Sequence, residues 1–337
     1  MLNIYDAIPE GLLDREATDL HEVLPGPSLI HLEGRHKEPL FISLLLHGNE
    51  VTGWQAMRSI LQKYQDMLLP RAVYLFIGNV QAAKEGLRYL EGQPDYNRIW
   101  KAGGEGPEAV MIRQLMEIVA QQKPFASIDL HNNSGRNPHY ACINRLDKRF
   151  MYLASLFSRT VVYFIKPDTV QSMAFADLCP SVTIECGRPG ESHGVEHAVQ
   201  YIDACLHLTD FPEHEVASHD VDLFHTVAIV KVPSHLSVGL PGEVADICLP
   251  SELDQLNFCE LQPGAVLGSV AQQTVGTGFL ATDESGQDIS ERYFEIEGSH
   301  IQTRLPVMPS MLTLDKTIIK QDCLCYLMER LDTGHIT

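Results

Sequence analysis

Apolar segments of strand length alternate with amphipathic segments of helix length through the first two hundred residues, and few folds accommodate that alternation. Ser28 to Glu33 reads as a strand, Gly34 to Pro39 as a turn, and Leu40 to Leu46 as a fully apolar strand. Val51, Trp54, Met57, Ile60, Leu61 and Tyr64 then recur at three- and four-residue steps, the signature of one helix face. Ala72 to Ile77 is the next apolar strand, followed by a long Gly- and Pro-bearing connection from Gly78 to Pro107. The alternation resumes with a helix marked by Val110 to Val119 and strands at Phe125 to Leu130 and Tyr140 to Ile143. A helix at Phe150 to Phe157, strands at Thr160 to Phe164 and Ser181 to Ile184, and a helix over Val195 to Leu208 complete the series. Strands apolar on both faces need cover on both, so the pattern predicts an α/β layer sandwich: a mixed, largely parallel sheet flanked by helices. Past about Pro212 the character changes. Val227 to Val232, Gly264 to Val270 and Tyr293 to Ile296 are short strand-like runs among turns. Two domains are expected, an α/β one over residues 1–211, with an N-terminal extension over 1–26, and a smaller β-rich one over 212–337.

Composition narrows the partners. Lys and Arg total 25 against 44 Asp and Glu, a net charge of −19, a field that repels phosphate backbones and anionic lipid. Nucleic acid and membrane surfaces are therefore excluded as expected partners, and a homo-oligomer is left open. The longest apolar run is strand-sized, far short of the roughly 20 residues of a spanning helix. Met1 to Asp6 lacks the basic start of a secretion signal, so a cytoplasmic location is expected. The eight cysteines form no CxxC pair and read as reduced thiols.

Ligands of open α/β sheets gather beyond the carboxyl ends of the strands. Three such ends carry unusual residues: Leu46-His47-Gly48-Asn49-Glu50, Asp129-Leu130-His131 and Thr183-Ile184-Glu185. Gly48 is expected to permit the bend that brings His47 and Glu50 together. Two imidazoles and a carboxylate make a three-ligand zinc set with a fourth position for water, which suits a catalytic rather than a structural site. Asp129 shares a strand face with His131 and is placed to orient it. Any one of these motifs occurs by chance in many chains, but burying three polar strand ends at one sheet edge without a common purpose is costly. In the long connection, Arg88 and the Asp95-Tyr96-Asn97-Arg98 run bring cations and an amide suited to oxyanions and carboxylates. His139, His193 and His197 fall nearby and read as loop or helix-surface histidines.

His47-Gly48-Asn49-Glu50, the stretch Asn79…Arg88…Asp95-Tyr96-Asn97-Arg98, Asp129-Leu130-His131 and Thr183-Ile184-Glu185 resemble, in order and spacing, the succinylglutamate desuccinylase/aspartoacylase family. The resemblance runs motif by motif from about Leu40 to Leu208. It implies a zinc-carboxypeptidase-like α/β domain with a β-rich C-terminal domain, and one Zn2+ per chain held by His47, Glu50 and His131. It further implies Glu185 as general base and acid, Arg88 at the carbonyl oxygen of the scissile amide, and Asn97 with Arg98 on the amino-acid carboxylate. Where aspartoacylase-like members carry an arginine for the acyl carboxylate, Ser172 to Asp177 has no cation, and Arg188 is the nearest substitute in sequence.

These readings predict a zinc-dependent hydrolase that cleaves the amide of an N-acyl amino acid or similar small acyl-amine. A metallocarboxypeptidase or peptide amidase on the same scaffold is the alternative, because the Asn-Arg pair serves a peptide carboxyl terminus equally well. A non-catalytic metal- or ligand-binding protein is the third reading; a pure binder has no use for a base beside the metal. A nucleotide-binding protein is disfavoured, since the turn after the first long strand has no Gly-rich phosphate cradle.

Overall fold

A computed structural model describes residues 1–101, 104–271 and 276–331. The chain divides into two compact units, one from Met1–Asn132 and His139–Leu223, the other from Asn133–Pro138 and Phe224–Leu331.

The first unit is built on strands β1 (Asn3–Tyr5), β2 (Ser28–Leu32), β3 (Gly34–Leu44), β4 (Leu69–Ile77), β5 (Ala126–His131), β6 (Tyr140–Ile143), β7 (Thr160–Tyr163) and β8 (Ser181–Glu185). Their order in the sheet is β1-β2-β4-β3-β5-β8-β6-β7. The central pairs β4–β3, β3–β5 and β5–β8 are parallel, while β2–β4 and β8–β6 are antiparallel. All residues of β4, β5 and β8, and Leu40–Leu44 of β3, are buried, as strands covered on both faces must be.

Helices α1 (Thr52–Lys63), α2 (Val80–Glu85), α3 (Pro107–Gln121), α4 (Lys148–Ser155), α5 (Gln171–Phe175) and α6 (Ser192–His207) supply the cover. Phe41 and Phe76 meet Met111, Ile112 and Leu115 of α3 and Phe175 of α5 in one cluster, with Phe41 and Phe175 stacked at 4.2 Å. On the opposite face α1 lies so close that a Cβ at Gly53 would stand 3.0 Å from Leu44 and Leu130. The face that bears Phe41 also bears, along β5, Ser127, Asp129 and His131: a polar row inside an otherwise apolar layer.

Three departures from the expected elements have physical causes. Gly34–Pro39 is strand rather than turn. There β3 pairs with β4 alone, β5 joining only from Leu40, and the half-free strand carries polar residues and an irregular register between His36 and Leu40. The long connection holds α2, only six residues long and started by Asn79, whose side chain accepts from the Ala82 N–H. The N-terminal segment contributes β1, three residues paired in parallel with β2, too short for any period.

The second unit is β-rich. Strands β9 (Asp222–Lys231), β13 (Leu280–Thr282), β16 (Met308–Ser310) and β17 (Cys325–Arg330) pair antiparallel. A further five-stranded sheet runs in the order β10 (Val238–Gly239), β11 (Ile247–Cys248), β12 (Val266–Val270), β15 (His300–Thr303), β14 (Phe294–Glu297). Val230, Ile247, Leu267, Phe279, Phe294 and Ile301 share its core. No helix among the described residues is long and apolar enough to cross a membrane.

Candidate metal centre

Because β3, β5 and β8 are parallel neighbours, their carboxyl ends meet at one edge, and His131 and Glu185 are register partners across β5 and β8. The chain leaves β3 through Leu45, a left-handed residue (φ 53°) whose carbonyl accepts from the Asn79 N–H at 2.6 Å. Such a backbone in a branched residue is strained and persists only where its surroundings fix it. Gly48 itself is not left-handed; the glycine is required by crowding. A Cβ there would come within 2.2 Å of the Ala83 nitrogen, and its own N–H donates to the Arg88 carbonyl at 3.0 Å. The bend expected of Gly48 is thus made at Leu45, and Gly48 lets α2 and the Arg88 segment lie against the turn.

His47, Glu50 and His131, all buried, offer one ligand atom each within 4.8 Å of one another. The Nδ1 of His47 lies 2.7 Å from Oε1 of Glu50 and the Nδ1 of His131 lies 2.7 Å from Oε2. The other ring nitrogens face further carboxylates: Nε2 of His47 is 3.0 Å from Asp95, and Nε2 of His131 is 2.8 Å from Asp129. Asp129 is fully buried and its second oxygen accepts from Ser43 Oγ at 2.6 Å. Each imidazole therefore sits between two carboxylates. Donation from Nε2–H to the outer one leaves Nδ1 as the lone pair that a metal requires.

The charges follow this arrangement. Burial by itself would raise the Glu50 carboxyl, but the facing His47 and His131 rings hold it well below the ordinary carboxylate range. For Asp95, burial is likewise overcome, by His47 first and then by Arg88 and Arg98. Burial would lower His131, yet Asp129 and Glu50 raise it well above the usual imidazole value. Cations are favoured among these carboxylates, and a divalent ion would take the place of the protons. The residues fit a metal of the zinc type, with two nitrogen donors and one oxygen donor.

Arg88 lies with one guanidinium nitrogen 3.0 Å from Asp95 Oδ2 and another 3.9 Å from Glu50 Oε1. Asn97 is buried against the same cluster: its Oδ1 accepts from the Gln171 N–H at 3.1 Å and its Nδ2 is 3.2 Å from His131 Nε2. Arg98 donates to the Asn97 carbonyl and adds its charge near Asp95. Glu185 is buried at the end of β8, beside His131. Phe175 belongs to the core, and Asp177 is an exposed partner of Lys101 and Arg145.

Two contributors carry no role in the sequence reading. Asp95 bridges His47, Arg88 and the Asn97 N–H, the last at 2.7 Å. Asn132 donates its N–H to Glu50 Oε2 at 3.0 Å, and its side chain ties Thr52 to the Gly187 carbonyl. Asn132 had a signal in its place directly after His131; Asp95, in a long loop, had none beyond the Asn-Arg pair that follows it.

The fold and site together define a mixed α/β domain with a candidate metal triad, accompanied by a β-rich C-terminal unit. Residues 38–209 match the succinylglutamate desuccinylase/aspartoacylase catalytic domain, and the chain belongs to that family. Members of the family are amidohydrolases that act as deacylases. Structures of similar fold include succinylglutamate desuccinylase from Chromobacterium violaceum, at 17% identity and TM-score 0.53 over 89% of this chain and 87% of that one. The succinylglutamate desuccinylase/aspartoacylase of Rhodobacter sphaeroides aligns at 12% identity and TM-score 0.59 over 89% and 88%. Murine aminoacylase 3 does so at 17% identity and TM-score 0.57 over 88% and 96%. At these identities the likeness is one of fold. No curated protein matches the chain.

Proposed function

We propose that this protein is a zinc-dependent amidohydrolase that removes the acyl group from an N-acyl amino acid or a similar small acyl-amine. The observation that carries the proposal is the convergence of His47, Glu50 and His131 within 4.8 Å at the edge where β8 ends on Glu185. His47, Glu50 and His131 would hold one Zn2+. Bound there, zinc would supply Lewis acidity and lower the pKa of the attacking water toward neutrality.

The remaining work falls to the chain. Glu185 takes the proton of the attacking water and returns it to the departing amine nitrogen, leaving a free carboxylate and an amine as products. Arg88, tethered by Asp95 and 3.9 Å from Glu50, stabilises the oxyanion. Arg98 supplies the charge for the substrate's amino-acid carboxylate, and Asn97 orients it from a position fixed by the Gln171 N–H.

The test is hydrolysis of a panel of N-acyl amino acids and dipeptides by chelator-treated protein with and without added zinc. Activity on the N-acyl compounds returns only with zinc. Glu185→Gln retains zinc and loses activity by about 10²–10⁴-fold. Parent-rate turnover by Glu185→Gln, or hydrolysis that survives zinc removal, overturns the proposal. Cleavage confined to dipeptides assigns the same machinery to a carboxypeptidase.

A further inference from the structure

The three histidines read from the sequence as separate surface residues come together. His193 and His197 lie one turn apart on α6 and so share a side of the helix. The ring of His139, just before β6, lies 5.2 Å from His193 and 5.0 Å from His197, nearly parallel to the former. The Nδ1 atoms of His139 and His197 are 2.7 Å apart.

His139 and His197 share a hydrogen bond between their Nδ1 atoms, and the tautomer in which His139 donates its Nδ1–H to His197 leaves its own Nε2 as a lone pair. Nε2 of His139 is buried and without a hydrogen-bond partner. Its surroundings are built around a glycine: a Cβ at Gly187 would stand 3.1 Å from His139 Nε2 and 3.2 Å from Glu191 Oε2. Glu191 Oε2 is in turn 3.4 Å from Nε2 of His193.

From this we infer that His139, His193 and Glu191 form a second divalent-metal site, distinct from the candidate centre, with His197 as the residue that orients His139. The donors are His139 Nε2, His193 Nε2 and a Glu191 oxygen, a set that suits Zn2+, Ni2+ or Cu2+. A ligand imidazole whose other nitrogen donates to a fixed acceptor is the usual arrangement around such ions. Among the described residues only His47, Glu50 and His131 already converge to within 4.8 Å. Here closure falls to His193 and Glu191, whose side chains are 66% and 42% exposed, with Glu191 Oε2 accepting from the Arg188 N–H at 3.2 Å.

The test counts metal on the full chain, stripped with chelator, loaded with Zn2+ and dialysed. The parent protein retains two equivalents; His193→Ala and Glu191→Gln, both at exposed positions, each retain one. His47→Ala combined with His131→Ala also retains one, and adding His193→Ala removes it. Binding of the Cu2+ probe by the His47→Ala/His131→Ala protein gives a nitrogen-coordinated electron paramagnetic resonance signal that His193→Ala abolishes. Unchanged zinc content in both single variants, or no metal in the folded His47→Ala/His131→Ala protein, overturns the inference. A single equivalent in the parent that is lost with His193→Ala would leave this site standing and refute the candidate centre instead.

Discussion

Two groups of histidines in one unit are treated in opposite ways. His47 and His131 each lie between two carboxylates, with Glu50 shared on the inside and Asp95 and Asp129 outside. His139 and His197 face each other and Phe157, with Glu191 the one acid that acts on His139. Burial opposes the charged form in both places, but the outcome differs. At His131 it is overcome, and the ring is raised well above the ordinary imidazole value. In the second it prevails: burial lowers both rings, and His197 and His193 push His139 down further. Between His131 and His139, the carboxylates within hydrogen-bond reach, Asp129 and Glu50 on the first ring and, among the described residues, none on the second, decide whether burial is overcome.

The comparison breaks most visibly at Asp129. It is fully buried, 2.8 Å from His131 Nε2 and 2.6 Å from Ser43 Oγ. Asp129→Ala leaves a buried imidazole without its outer carboxylate, a loss of about 3–5 kcal/mol in the metal-free protein. Asp129→Asn keeps an acceptor and costs less, about 1–3 kcal/mol. Urea denaturation in chelator measures both. Equal, small effects would mean that His131 does not depend on this charge.

Asp95 tests the other outer carboxylate. It is on a loop and touches His47, Arg88 and the Asn97 N–H. Asp95→Asn is expected to weaken zinc binding at the candidate centre by about 10–100-fold, the usual consequence of losing an orienting partner. Competition with a chromophoric chelator gives the number. Unchanged affinity would reduce Asp95 to a tether for Arg88.

His197→Phe sharpens the contrast from the second group. Its ring is parallel to Phe157 at 4.3 Å, so a phenyl preserves the stack while removing the Nδ1 acceptor that fixes His139. Zinc affinity of the second site should fall about tenfold, by the same orienting argument, with the first site unaffected. Equilibrium dialysis on the His47→Ala/His131→Ala background reads the second site alone, and an unchanged constant there would show that His139 needs no orienting partner.

What the sequence revealed of this molecule follows the same physics. Strands buried on both faces read as unbroken apolar runs, so His47, His131 and Glu185 stand out at their ends, and the parallel order β3-β5-β8 brings those ends together. Asp129 was legible because residues two apart on a strand share a face. Asp95 was not: a loop has no period, and nothing in its spacing distinguishes an acid that binds His47 from one in solvent. The histidine cluster was hidden for a related reason. His193 and His197 are one helical turn apart, but His139 joins them only through the packing of α6 against the β8 exit. A Cβ at Gly194 would there come 2.3 Å from the Cys186 carbonyl oxygen.

A carboxylate outside both groups sets the lower end of the scale. Asp203 on α6 accepts from Lys63 Nζ at 2.7 Å and from Tyr64 Oη at 2.8 Å. Its partial burial works against the charge, but the two hydrogen bonds hold the carboxyl below its ordinary value. Lys63 is raised in turn, chiefly by its bond to Asp203. A carboxyl depressed in the folded state contributes stability that is fully present above its unfolded value of about 3.9 and disappears as pH falls through the folded one. A raised lysine contributes below its unfolded value of about 10.4 and loses that contribution as pH rises through the folded one. The pair therefore stabilises between those limits, and solvent screening keeps the gain under about 1 kcal/mol. Asp203→Asn should lower stability by that amount at pH 7 and converge with the parent in acid, once the parent carboxyl is also protonated. Urea midpoints at the two pH values decide it. A difference that persists in acid would place the contribution of Asp203 in the packing of α1 against α6 rather than in its charge.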